Sequence, residues 1–137
     1  MTVHLLKLCV GADGVEDLLA WQVERFGAGP AVHVTRMWPK REEEILAGGS
    51  LYWVFRSLVL ARQRVLRLDR RIGDDGIVRC AISLDRAAVR VAPVPRRPFQ
   101  GWRYLSPEDA PPDLEAGVAE GDLPTRLLAE LAEIGVR

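Results

Sequence analysis

Residues able to carry chemistry are sparse in this chain. Its only imidazoles and thiols are His4, His33, Cys9 and Cys80. None of them stands in a CxxC or HxxxH spacing, so no metal site is expected. His4 and Cys9 point to opposite faces of any regular strand that holds both. A Ser-His-acid arrangement lacks its usual turn, because Ser50 follows Gly48-Gly49 with no glycine two residues later. Gly11 and Gly14 lie between a strand candidate and a helix candidate, yet the full GxGxxG or GxxxxGK spacing is absent. Strand exit and helix capping account for them, and no cofactor is expected. The acidic runs Glu42 to Glu44 and Asp74-Asp75 have local reasons to be acidic, at a helix start and in a turn.

What remains is a pairing of cations with rings. The chain is formally neutral, with 19 basic and 19 acidic residues, but Arg36 to Arg103 holds 15 Lys/Arg against 7 Asp/Glu. That segment therefore carries 15 − 7 = +8, and the flanks 4 − 12 = −8. Within it, Arg96-Arg97-Pro98-Phe99-Gln100-Gly101-Trp102-Arg103 sets cations and rings in a loop shaped by proline and glycine. Cations neutralise phosphate and exposed rings stack on bases, the combination that a site for single-stranded nucleic acid needs. The candidate binding residues are Arg36, Trp38, Lys40, Arg41, Arg97, Trp102, Arg103 and Tyr104. On this reading the protein is a nucleic-acid or nucleotide-binding module, with RNA or a nucleotide-like anion as partner. A bland explanation competes: Tyr52 and Trp53 sit in an apolar run that suits a core, and alternating arginines suit a solvated sheet face.

Two other classes stay open. One is a small-molecule-binding protein or enzyme with a pocket lined by Trp38, Trp53 and Trp102, an anion clamp at Arg36 or Arg103, and Glu42 as base. The other is a protein-interaction module that uses the acidic segment 106–122. The longest apolar run, Leu51 to Ala61, is broken by Arg56 and falls short of the roughly 18 residues a membrane helix needs. The start of the chain has no secretory pattern, and the two cysteines read as buried thiols. A cytoplasmic protein of one domain, residues 1–137, is expected.

The elements that must position these residues are legible from periodicity. Val3 to Val10 reads as a buried strand ending at Gly11. Asp13 with Glu16 suits a helix start, Val15, Leu18, Leu19, Gln22 and Phe26 share one face, and Gly27 supplies the stop. A short strand over His33 to Met37 precedes a helix over Pro39 to Ala47 that Gly48-Gly49 ends. Four strands follow at about 50–57, 59–69, 77–84 and 88–93, the middle pair joined by Gly73-Asp74-Asp75-Gly76. Gly101 to Leu105 is the last strand. The segment 106–122 is irregular, and Leu123, Leu127, Leu128, Leu131 and Ile134 mark a terminal helix over 123–134. Together these give an α+β fold: a curved, mainly antiparallel sheet or small partly open barrel flanked by about three helices.

With these elements placed, the chain resembles a small bacterial family known as a domain of unknown function. The likeness rests on His4-Leu5-Leu6-Lys7-Leu8-Cys9-Val10-Gly11, Thr35-Arg36-Met37-Trp38-Pro39-Lys40-Arg41, Gly49-Ser50-Leu51-Tyr52-Trp53-Val54, and Arg97 through Leu105. It implies no activity. The order of elements is also similar, more loosely, to PUA-like folds (PUA, ASCH and EVE domains), which implies a small curved barrel that binds RNA or reads modified bases. The Gly-x-Lys-x-x-Glu-x-Arg signature of ASCH domains is missing from this sequence, so the likeness is one of layout.

Overall fold

A computed structural model describes residues 2–97, 99 and 101–114. The strands are β1 (His4–Leu8), β2 (Ala31–Thr35), β3 (Ser50–Phe55), β4 (Leu58–Ile72), β5 (Val78–Leu84), β6 (Val89–Pro95) and β7 (Trp102–Leu105). The helices are α1 (Val15–Phe26) and α2 (Glu42–Leu46). The strands form one sheet in the order β2-β5-β4-β3-β1-β7, with β6 paired to β4. Only β1 with β3 is parallel; the other ladders are antiparallel. The curved, mainly antiparallel α+β sheet expected from the sequence is therefore present. Among the described residues it is open, with β2 and β7 at its two ends, and does not close into a barrel. Two helices occur among the described residues where about three were expected; the expected helix over 123–134 lies outside them.

Period-two alternation assigns the two faces. Leu5 pairs with Leu51 and Lys7 with Trp53, while Leu5 also pairs with Tyr104 and Lys7 with Trp102. These residues share the inner face with Phe55, Ile82 and Leu84, and α1 closes that face through Val15 and Leu18. The outer face has a smaller apolar cluster of Leu6, Tyr52, Val54, Val59, Val91 and Leu105. Part of the 106–122 segment covers it. The Leu114 amide donates to the Arg90 carbonyl and the Ala92 amide to the Pro112 carbonyl, so residues 112–114 run along β6.

Strand β4 spans 15 residues. Its first part lies between β3 and β6, and its second part pairs with β5 beyond a bulge between Val65 and Arg67. The bulge bends the strand and keeps Val65 and Leu68 directed into the core. Between β3 and β4 the chain reverses at Arg56-Ser57, both at positive φ (45° and 70°), a two-residue turn of the kind that glycine usually fills.

Several boundaries move for local reasons. The cap of α1 is Gly14 rather than Asp13, whose backbone N–H is instead held by the Asp17 carboxylate at 3.1 Å. Strand β2 ends at Thr35, two residues early, because the Met37 amide turns back to the Thr35 hydroxyl. Helix α2 starts at Glu42 rather than Pro39, since the Arg41 amide is donated to the Tyr104 hydroxyl. After α2 the backbone packs very closely. A Cβ at Gly49 would lie 2.4 Å from the Val3 carbonyl oxygen and 2.5 Å from that of Ile45, so only glycine fits there.

Candidate functional site

A cavity of about 320 Å³ opens between α1 and the inner face of the sheet, lined by Lys7, Cys9, Trp21, Phe26, His33 and Trp53 among others. Alternation on β1 sends Lys7 and Cys9 inward, and β2 presents His33 from the far end of the curled sheet. The His33 and Trp53 rings meet edge to face at 5.8 Å. On α1, Trp21 and Phe26 pack edge to face at 6.0 Å, with the Arg25 guanidinium 5.2 Å from the Trp21 ring centre.

A buried amide network holds Trp53 in place. Its indole N–H donates to Gln63 Oε1 at 2.9 Å. That oxygen also accepts from Gln22 Nε2 at 2.9 Å, and Gln63 Nε2 donates to Gln22 Oε1 at 2.7 Å. Both glutamines are buried, so each neutral amide satisfies the other where no water competes.

Burial, assisted by the Lys7 charge, pulls the His33 imidazole down to about 4, so it is neutral at physiological pH. Its Nε2 is buried with no hydrogen-bond partner among the described residues. Lys7 forms no ion pair among them either. Burial pushes the Cys9 thiol up to about 11, which keeps it protonated and a poor nucleophile. No group of three metal-ligating side chains occurs among the described residues. The cavity thus offers aromatic walls and a lysine without an ion-pair partner among the described residues, which suits non-covalent capture of a small molecule.

Residues 5–137, which include every residue of this lining, match a family model described as "Protein of unknown function (DUF1489)". The chain belongs to this family. No curated protein and no solved structure matches it. For this DUF1489 protein, as for the family, chemistry has to be argued from the site.

The residues singled out in the sequence fall on two sides of β7. The 37–41 segment does lie against that strand: the Trp102 indole N–H donates to the Met37 carbonyl at 3.0 Å, and the Arg41 guanidinium stands 5.5 Å from the Tyr104 ring centre while pairing with Glu44. Trp102 itself is buried, 6% exposed, against Tyr104 at 4.8 Å. Arg36, Trp38 and Lys40 are exposed nearby. Arg103 points to the opposite face, 5.4 Å from the Phe99 ring centre, and with Arg96, Arg97 and Phe99 it lines an open groove of about 460 Å³ that Tyr104 borders.

Of the three tryptophans expected to share a pocket, only Trp53 lines the cavity, and Glu42 is not among its walls. Lys7 and Trp21 went unnoticed in the sequence, and His33 was weighed there only as a metal ligand or triad histidine, although alternation along β1 was enough to place Lys7 inward with Leu5. Several basic residues are also already engaged. Arg56 pairs with Asp13, Arg62 with Asp113, Arg67 with Asp69, and Arg79 with Asp75. Two of those carboxylates, Asp13 and Asp113, come from the acidic flanks.

Proposed function

We propose that this protein is a small-molecule-binding domain that holds a flat, largely apolar ligand in the cavity between α1 and the curled sheet. One observation carries the reading: a cavity of about 320 Å³ has Trp21, Phe26 and Trp53 in its wall and few polar side chains beside them, Lys7, Asp17, Gln22 and His33. Ligand sites are typically apolar concavities with few polar groups, and this one lies at the small end of their size range.

The test is a thermal-shift screen of one- and two-ring compounds against the native protein and Ala12→Trp, which places bulk in the lining. Ring compounds should raise the melting temperature of the native protein and lose that effect in the variant. If no ring compound at millimolar concentration stabilises the native protein, this reading fails.

A second reading, nucleic-acid binding with RNA preferred, draws on the outer groove, where Arg96, Arg97, Phe99 and Arg103 put cations beside a ring. The PUA-like layout of the sequence accords with it. Affinity for a short single-stranded RNA should then fall with salt, with a logarithmic slope of roughly −0.7 per phosphate contact. Fluorescence anisotropy measures that slope, and binding no stronger than that of an unrelated neutral protein would end this reading. Both readings take the protein as cytoplasmic, in keeping with its two free thiols.

A further inference from the structure

The cavity wall is apolar and aromatic except at a few points, and two of those points flank one ring. Lys7 on β1 is the direct register partner of Trp53 on β3 and of Trp102 on β7, so its ammonium group rises from a row of inward-facing residues between two tryptophans. His33 meets the same Trp53 ring edge to face at 5.8 Å. A lysine at an inward strand position normally finds a carboxylate or extends its head into water. Here the carboxylate in the wall is Asp17, which accepts a hydrogen bond from the Asp13 backbone and forms no ion pair with Lys7. Lys7 is half-buried and lines the cavity beside Trp53 and His33.

Asp17 keeps its charge in the same wall, but its carboxylate accepts from the Asp13 backbone and makes no ion pair with Lys7, so the Lys7 ammonium is left to meet a ligand's negative charge, and a charged hydrogen bond in a desolvated setting is stronger than a neutral one. Aromatic rings at Trp53, Trp21 and Phe26 favour a planar body that meets them by offset stacking or edge-to-face contact. We infer that the cavity takes an aromatic monoanion, such as a one- or two-ring carboxylic acid, with its carboxylate on Lys7 and its ring against Trp53. This inference rests on the cavity reading above and adds the charge class of the ligand. Among the described residues of the wall, a second negative charge would meet no second cation, since Lys7 is the only basic one besides neutral His33.

The experiment compares acids with their neutral amides by calorimetry: benzoate with benzamide, 2-naphthoate with 2-naphthamide, and indole-3-acetate with indole-3-acetamide. It is run on the native protein, Lys7→Met and Lys7→Arg. In the native protein the best acid should bind at least about tenfold more tightly than its amide. Lys7→Met should abolish that preference while leaving the amide's affinity within about threefold, and Lys7→Arg should restore it, because the charge returns. Circular dichroism melts establish that each variant is folded.

Equal binding of acid and amide to the native protein overturns the charge assignment and leaves the cavity reading standing. A Lys7→Met variant that weakens acid and amide equally does the same, as it marks Lys7 as part of the wall and not as an anion receptor. Failure of every acid and every amide to bind overturns both.

Discussion

Arg62 and Gln63 are consecutive on β4, point to opposite faces of the sheet, and each anchors a hydrogen-bond network. Inward, Gln63 joins Gln22 and Trp53 in a cluster of neutral groups buried to within 6% of full exclusion from solvent. Outward, Arg62 makes two hydrogen bonds to the Asp113 carboxylate, at 2.8 and 2.7 Å, and a third to the Ser50 hydroxyl at 3.0 Å. The outer network is charged because water still reaches it, with the Asp113 side chain 44% exposed. The inner one is neutral, since buried charge there would carry a desolvation penalty of several kcal/mol. The inner network orients a ring that walls a cavity, and the outer one fastens a chain segment onto β6. Inner changes should therefore cost more and respond less to salt.

The strongest challenge to that contrast is Trp53→Ala. It removes the central ring and leaves Gln63 and His33 facing empty space, and should cost about 3–5 kcal/mol in urea unfolding. An equal loss in Arg62→Ala would mean that the two faces are not energetically distinct.

Next comes acid sensitivity. His33 falls from 6.5 to about 4 on folding, so between those values the unfolded chain binds a proton that the folded chain does not. Stability is fully present above about pH 6.5, declines as pH falls toward 4, and stops declining from this source below that. The full loss is up to about 3 kcal/mol. His4, also lowered, first by burial and then by Arg62, adds a loss of the same sign. Denaturant melts across this window should show a clearly shallower pH dependence in His33→Gln; an unchanged dependence would remove His33 from the explanation.

Gln22→Leu sharpens the inner side. It deprives Gln63 Nε2 of its acceptor while Trp53 keeps its own, and should cost about 1–3 kcal/mol, insensitive to salt. The double change Gln22→Leu with Gln63→Leu should cost less than the sum of the single changes, as shown by a mutant cycle.

The smallest effect is expected outside. Asp113→Asn should cost about 1 kcal/mol or less and shrink further in 1 M salt, because the pair is partly exposed. A loss that salt leaves intact would make the outer network behave like a buried one.

Much of the scaffold was legible in the sequence because it follows local rules. The hydrophobic spacing of Val15, Leu18 and Gln22 gave the buried face of α1, and Gly73 to Gly76 forms the β4–β5 turn, where the Gly73 amide reaches the Ile77 carbonyl. Strand β3, apolar on both faces in the sequence, is buried along its whole length. The break between two strands near residue 58 was legible, but the two-residue turn at positive φ over Arg56-Ser57 was not, since neither residue type advertises one. The cavity was hidden for a different reason. Lys7, Trp21, His33 and Trp53 come from four elements, and only the parallel pairing of β1 with β3 and the curl that brings β2 opposite Trp53 unite them. For Trp102 a local rule was available and was outweighed by loop composition: alternation within β7 separates Trp102 and Tyr104 from Arg103.

The seam at Gly49 bears on how this chain can change over time. Carbonyls of residues 3 and 45 converge on a site with no room for even a methyl group, so at position 49 main chain meets main chain. Repacking of side chains cannot relieve a collision between main chains. In a saturation library, position 49 should accept no residue but glycine, whereas exposed Leu46, three residues earlier, should accept many. Drift can rewrite the surface of α2 but not the point where it is riveted to the sheet.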